Sequence, residues 1–173
     1  MDCIQEIMAL LDSHTGASYL GEAVTQREHA LQAAQLAEMD GAADALIAAA
    51  LLHDIGYWIG CDEAPHEQVG GDWLRQRFVP EVAGPVKLHV AAKRYLCTVD
   101  PAYAERLSKA SVLSLEIQGG LMRADELRRF ESNRFHQYAV SLRFWDDRAK
   151  VAGTAVKDPR EYIPILYRVA ALR

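Results

Sequence analysis

The residues best suited to chemistry start with His53 and Asp54, which follow directly on the apolar run Ala48-Ala-Ala-Leu-Leu52. Burying an aspartate costs several kcal/mol unless it is paired or bound to a metal ion. Adjacent residues on a helix diverge by about 100°, yet the ends of two such side chains can still reach one ion. The plain alternative is a helix C-terminus, with His53 favoured by the helix dipole and Asp54 turned to solvent. The other histidines weigh against it. His29 sits on an inward helical face, His66 opens a helix, His89 lies inside one, and Asp146 follows the apolar-aromatic Leu142-Arg-Phe-Trp145. Imidazole and carboxylate together suit iron, manganese or zinc rather than calcium or magnesium alone. His14 and His136 are left without a role.

Two cations flank these candidate ligands. Lys93 stands four residues after His89 and Arg143 three before Asp146, so each shares a helical face with its neighbour. A cation beside a metal ligand opposes the ion's charge. It makes sense if an anion fills the space, and the arginine fork matches phosphate or phosphonate. The alternative is that both cations snorkel outward as solvated charges. Ser111, Ser114 and Gln118 would add neutral donors, although serines three apart are also ordinary helix residues.

The elements that must position these groups read as helical throughout. Ile4, Ile7, Met8, Leu10 and Leu11 keep a 3.6-residue period, closed by Ser13-His-Thr-Gly16. Residues 17–25 read as a loop, and Thr25-Gln-Arg-Glu28 as a capping box for the helix carrying His29. Residues 42–55 read as one buried central helix ending at Gly56. Further helices are expected over 66–78, 82–96, 101–115, 123–131 and about 133–149, with an irregular tail containing one helical turn.

In this order, the histidines and aspartates resemble the HD superfamily over about residues 25–150. On that resemblance His29, His53, Asp54 and Asp146 complete one metal centre. His66 and His89 hold a second ion, with Asp54 as the bridge. Tyr19-Leu-Gly-Glu22, Leu52-His-Asp-Ile-Gly56, His89-Val-Ala-Ala-Lys93, Gln118-Gly-Gly120 and Leu142-Arg-Phe-Trp-Asp-Asp147 narrow the resemblance. Together they are similar to the phosphonate-cleaving branch of the HD oxygenases, cousins of myo-inositol oxygenase, over about residues 19–150.

The resemblance implies an all-α, single-domain HD helical bundle over residues 1–173 with a dinuclear site. It implies two iron ions, mixed-valent Fe(II)/Fe(III), with O2 as co-substrate. The substrate it implies is a small α-hydroxyphosphonate, 2-amino-1-hydroxyethylphosphonate or an N-methylated relative, cleaved to phosphate and an amino-acid-type carboxylate. His29, His53, Asp54, His66, His89 and Asp146 match the iron ligands. Lys93, Arg143 and Ser111 match phosphonate-binding positions. Tyr19 and Glu22 match a mobile Tyr-x-x-Glu loop, whose tyrosine rests in the O2 position and whose glutamate meets the substrate amine. One departure is Tyr57, where the glycine-forming enzymes carry a histidine. An aromatic face there would suit a methylated ammonium, a contact worth about 0.5–2 kcal/mol.

Composition sets the outer limits. The chain has 173 residues, half of them hydrophobic, and a net charge of −5, which suits one domain with a real core. No apolar run is long enough for a bilayer and no basic-then-apolar leader opens the chain. The acidic balance argues against nucleic acid. Cys3, Cys61 and Cys97 are too widely spaced for a disulfide framework or zinc knuckle, so a reduced, cytoplasmic protein is expected. Two other activities fit an HD pattern. One is a phosphohydrolase, in which a metal-activated hydroxide attacks a nucleotide or small phosphate ester. The other is a catalytically silent ligand sensor. A requirement for O2 separates the oxygenase from the hydrolase, and bound metal separates both from the sensor.

Overall fold

The computed structural model describes residues 2–60 and 64–171, and Cys61 lies outside them. The helices, in chain order, are α1 (Cys3–Ser13), α2 (Gln26–Met39), α3 (Asp44–Leu52), α4 (Ile55–Ile59), α5 (His66–Arg75) and α6 (Pro80–Val99). They continue as α7 (Pro101–Glu105), α8 (Lys109–Ile117), α9 (Ala124–Glu131), α10 (His136–Arg148) and α11 (Ile163–Val169). Among the described residues there is no β-sheet, only two isolated bridges, and the architecture is all-α. None of these helices is long and apolar enough to cross a membrane.

Helix α3 is apolar on every side and has six of its nine residues buried, as a helix enclosed by others must be. α2, α6, α10 and α11 all pack on it. Thr25 and Glu28 form the expected capping box at the start of α2. Helix α6 runs from Pro80 through Pro85 to Val99, longer than the expected 82–96, and packs against both α5 and α10. The start of α2, the start of α5, the middle of α6, the last turns of α10 and the α3–α4 junction therefore meet around one volume.

Three expectations are corrected. The helix read over 42–55 is interrupted: α3 stops at Leu52, His53 and Asp54 form a turn, and α4 restarts at Ile55. At this turn His53 Nε2 and Asp54 Oδ2 come within 3.4 Å of each other. The helix read over 101–115 is two, because Ser108 caps a fresh start, its side chain accepting the Ser111 backbone N–H. The tail is structural rather than irregular. After a 3-10 turn at Pro159–Tyr162, α11 buries Ile165, Leu166 and Val169, extending the core around α3.

Candidate metal centre

Four imidazoles and two carboxylates converge in the buried interior. His29 comes from α2, His53 and Asp54 from the α3–α4 turn, His66 from the start of α5, His89 from α6 and Asp146 from α10. All six are buried. They form two groups, His29–His53–Asp146 and Asp54–His66–His89, each with its ligand atoms within 4.8 Å of one another. The Nε2 atoms of His29 and His53 are 3.0 Å apart, and those of His66 and His89 3.2 Å.

That spacing fits metal ligation. Two nitrogens bound at about 2.1 Å and separated by 90–110° around one ion lie about 3.0–3.4 Å from each other. The outward-facing nitrogens are held as well. Nδ1 of His29, His53 and His89 contacts the carbonyls of Ala149, Ala50 and Val86 at 2.8, 2.8 and 2.7 Å. His66 Nδ1 lies 3.5 Å from the Glu67 carboxylate. Such contacts orient imidazoles so that Nε2 faces an ion. Among the described residues, Asp54 Oδ2 and Asp146 Oδ1 are buried without a hydrogen-bond partner, each 3.4 Å from an imidazole nitrogen, a costly state that a cation at either group would relieve. The residues fit a pair of metal ions.

The charges agree with that reading. Burial opposes a proton on His53, but Asp54 and Asp146 outweigh it and raise its pKa to about 9. Burial, with His66 and His53 close by, pushes His89 down to about 3. Burial pushes both carboxyls upward, yet His53 and His66 hold Asp54 well below the usual carboxylate range. Arg143 and His29 do the same for Asp146. The cluster holds two carboxylate charges, a neutral His89 and a proton on His53 that a bound cation would displace.

A cavity of about 680 Å³ opens onto this centre. Asp54, His66, His89 and Asp146 line it, with Tyr19, Glu22, Tyr57, Lys93, Ser111, Gln118 and Arg143 from the sequence reading. Tyr19 and Glu22 sit on a tight turn whose central residues, Leu20 and Gly21, have φ of 41° and 81°, as in a type I′ turn. The Glu22 N–H donates to the Tyr19 carbonyl at 2.7 Å. The Tyr19 ring stacks on His29, centroids 3.9 Å apart, and the Tyr57 ring stacks on His66 at 4.1 Å. Lys93 Nζ donates to Ser114 Oγ at 2.7 Å, and burial, followed by the nearby Arg143, lowers its pKa to about 8. Gln118 contributes a buried Oε1 with no hydrogen-bond partner among the described residues.

Several residues at the site escaped the sequence reading. Lys150, one turn after Asp146, lines the cavity, and its i+4 spacing was a usable signal. Ser108 holds Glu22, its hydroxyl donating to Oε1 at 2.6 Å. Asp147 and Tyr103 engage Arg143, whose Nε lies 3.1 Å from each. Nothing in local spacing announces the Tyr103 contact, which spans forty residues.

No family model matches the chain. Curated relatives do. A hydroxymethylphosphonate dioxygenase of Gimesia maris is 46% identical over 169 residues, covering 92% of this chain and 84% of the relative. A [1-hydroxy-2-(trimethylamino)ethyl]phosphonate dioxygenase (glycine-betaine-forming) of Leisingera caerulea is 37% identical over 175 residues, 96% of this chain and 89% of the relative. An uncharacterized protein of Acanthamoeba polyphaga mimivirus is 36% identical over 170 residues, 92% and 77% respectively. With two dioxygenases matched along nearly its whole length, and with buried His/Asp clusters able to bind metal, the chain belongs to the phosphonate-cleaving HD-domain oxygenases.

Proposed function

We propose that this chain acts as an O2-dependent diiron oxygenase that cleaves the C–P bond of a small α-hydroxyalkylphosphonate. It would do so as one HD domain over residues 1–173, with a core of about 19–150. The observation that carries this reading is the shared position of Asp54. It lies between two histidine pairs and opens onto the same cavity as Lys93 and Arg143. His29, His53 and Asp146 would hold one iron, His66 and His89 the other, and Asp54 would serve both. A bound Fe(II)/Fe(III) pair supplies the redox chemistry by which O2 oxidises the hydroxyl-bearing carbon.

The overall reaction balances with one O2 per substrate. The C–P bond and one C–H bond of the reacting carbon break, and phosphate and a carboxylate result. The protein's own part is binding and orientation. Lys93, whose Nζ meets only neutral serine oxygens among the described residues, attracts the phosphonate dianion, with Arg143 beside it in the wall, and Ser111 and Gln118 offer neutral contacts. Tyr19, over His29, excludes water from one side of the centre, while Tyr57 and Glu22 face the substituent on the reacting carbon. The names of the two dioxygenase relatives span hydroxymethylphosphonate to a trimethylamino compound, so the shared part is the hydroxyphosphonate end.

The test is phosphate release by Fe(II)-reconstituted protein with and without O2. The substrates are hydroxymethylphosphonate, 2-amino-1-hydroxyethylphosphonate, its N-methylated relatives and several nucleotides. Phosphate only from a hydroxyphosphonate and only with O2 is expected. Phosphate from nucleotides without O2 would instead make the chain a metal-dependent phosphohydrolase.

A further inference from the structure

We propose that Lys150 is a specificity residue that occupies the place an ammonium group would take, so that the pocket prefers an α-hydroxyphosphonate whose substituent carries no positive charge. The inference rests on the hydroxyphosphonate reading above and narrows it. A carboxylate recognises an ammonium only while its own charge is uncompensated. Glu22 is compensated: Lys150 Nζ lies 3.8 Å from its Oε1, and the same oxygen accepts the Ser108 hydroxyl. Both side chains are largely buried, 11% and 15% exposed, so solvent screens the pair little.

Lys150 is fixed where it stands. Its Nζ donates to Ser111 Oγ at 3.1 Å and sits 6.0 Å from the centre of the Tyr19 ring. It also approaches Asp146 and Asp147, at 3.9 and 3.8 Å. The Arg143 guanidinium already holds both of those carboxylates. Lys150 thus shares its charge among three carboxylates, and Glu22 is the one of the three that Arg143 does not also hold. An ammonium-bearing substrate would have to share Glu22 with a cation already seated on it, and like charges brought together cost affinity.

The rest of the cavity points the same way. Among the described residues, four cations line it, Lys93, Lys109, Arg143 and Lys150, and two of the three carboxylates there, Asp54 and Asp146, belong to the candidate metal-binding groups. Its outer wall is hydrocarbon, from Leu20, Leu113 and Ile117. A phosphonate with a hydrogen or short alkyl substituent satisfies both the cations and the apolar wall.

The experiment compares hydroxymethylphosphonate and 1-hydroxyethylphosphonate with 2-amino-1-hydroxyethylphosphonate and its trimethylammonio relative. Anaerobic calorimetry on iron-loaded protein gives Kd, and phosphate release in air gives kcat/KM. Wild type is expected to favour the uncharged pair by about tenfold or more in both measures. Lys150→Met should move that ratio toward the ammonium substrates by about tenfold, while Lys150→Arg keeps the wild-type order. A wild-type preference for an ammonium substrate overturns the proposal, and so does an equal loss on all four substrates in Lys150→Met. If Lys150→Met does not fold, the wild-type and Lys150→Arg rankings decide. Binding or cleavage of none of the four would remove the hydroxyphosphonate reading itself, an outcome distinct from a wrong order among them.

Discussion

Oδ1 of Asp54 lies 3.2 Å from Nε2 of His66. The other oxygen of the same carboxylate lies 3.4 Å from His53 Nε2, so one side chain serves both histidine groups. Asp54→Asn should therefore lower iron content from about two ions per chain toward none, whereas His89→Ala should leave about one. Metal analysis after anaerobic reconstitution and desalting reads this directly. Equal iron content in the two variants would show that Asp54 serves only one ion.

Gly56 is a second point of leverage because it brings α4 against the start of α5. A Cβ built there would stand 2.0 Å from the His66 carbonyl oxygen, a backbone atom that cannot swing aside. Gly56→Ala should cost about 1–3 kcal/mol or more as α5 is displaced. For a chain of this size that lowers Tm by about 2–4 °C per kcal/mol. Iron held by His66 and His89 should be lost before the other ion. Gly16→Ala is the control, since among the described residues no atom beyond its chain neighbours lies within 4 Å of the added Cβ. Differential scanning calorimetry with metal analysis checks both variants.

How far the sequence revealed this arrangement depended on the kind of signal. Histidines and aspartates amid alanine and leucine are chemically conspicuous, so the six clustered residues were legible by type. The capping box at Thr25 and Glu28 was legible because it is local. The turn at His53–Asp54 was not, since Leu51, Leu52 and Ile55 continue the apolar pattern across it. The close approach of Gly56 to the His66 backbone just beyond it is a non-local contact, which local propensity does not encode. Lys150 was passed over because it follows the last turn of α10, where a lysine ordinarily faces water.

Lys93 gives the pH dependence its sign. Its pKa of about 8 lies below the ordinary lysine value because burial and Arg143 disfavour the charged form. Below pH 8 the ammonium is present and attracts a phosphonate. Above it the charge is lost. Anaerobic Kd for hydroxymethylphosphonate should therefore weaken by about tenfold for each unit above pH 8. Lys93→Arg should abolish that limb up to at least about pH 10, because a guanidinium keeps its proton. A flat wild-type profile between about pH 7.5 and 9.5 would place the phosphonate away from Lys93.

Arg143 joins the cationic side of the cavity to a carboxylate of the candidate metal centre. Nη1 donates to Asp146 Oδ2 at 2.6 Å, Nη2 to Asp147, and Nε lies 3.1 Å from the Tyr103 hydroxyl. With Oδ2 engaged, Asp146 Oδ1 stays directed at His29, 3.4 Å away. A lysine has one point donor and cannot hold both carboxylates in fixed orientation. Arg143→Lys should therefore loosen Asp146 and weaken phosphonate binding together, lowering kcat/KM by about a hundredfold. Asp147→Asn disturbs the same guanidinium without touching His29, so its effect should fall mainly on KM and leave iron content unchanged. If Asp147→Asn loses as much iron as Arg143→Lys, the network acts through overall stability, and Arg143 does not orient Asp146.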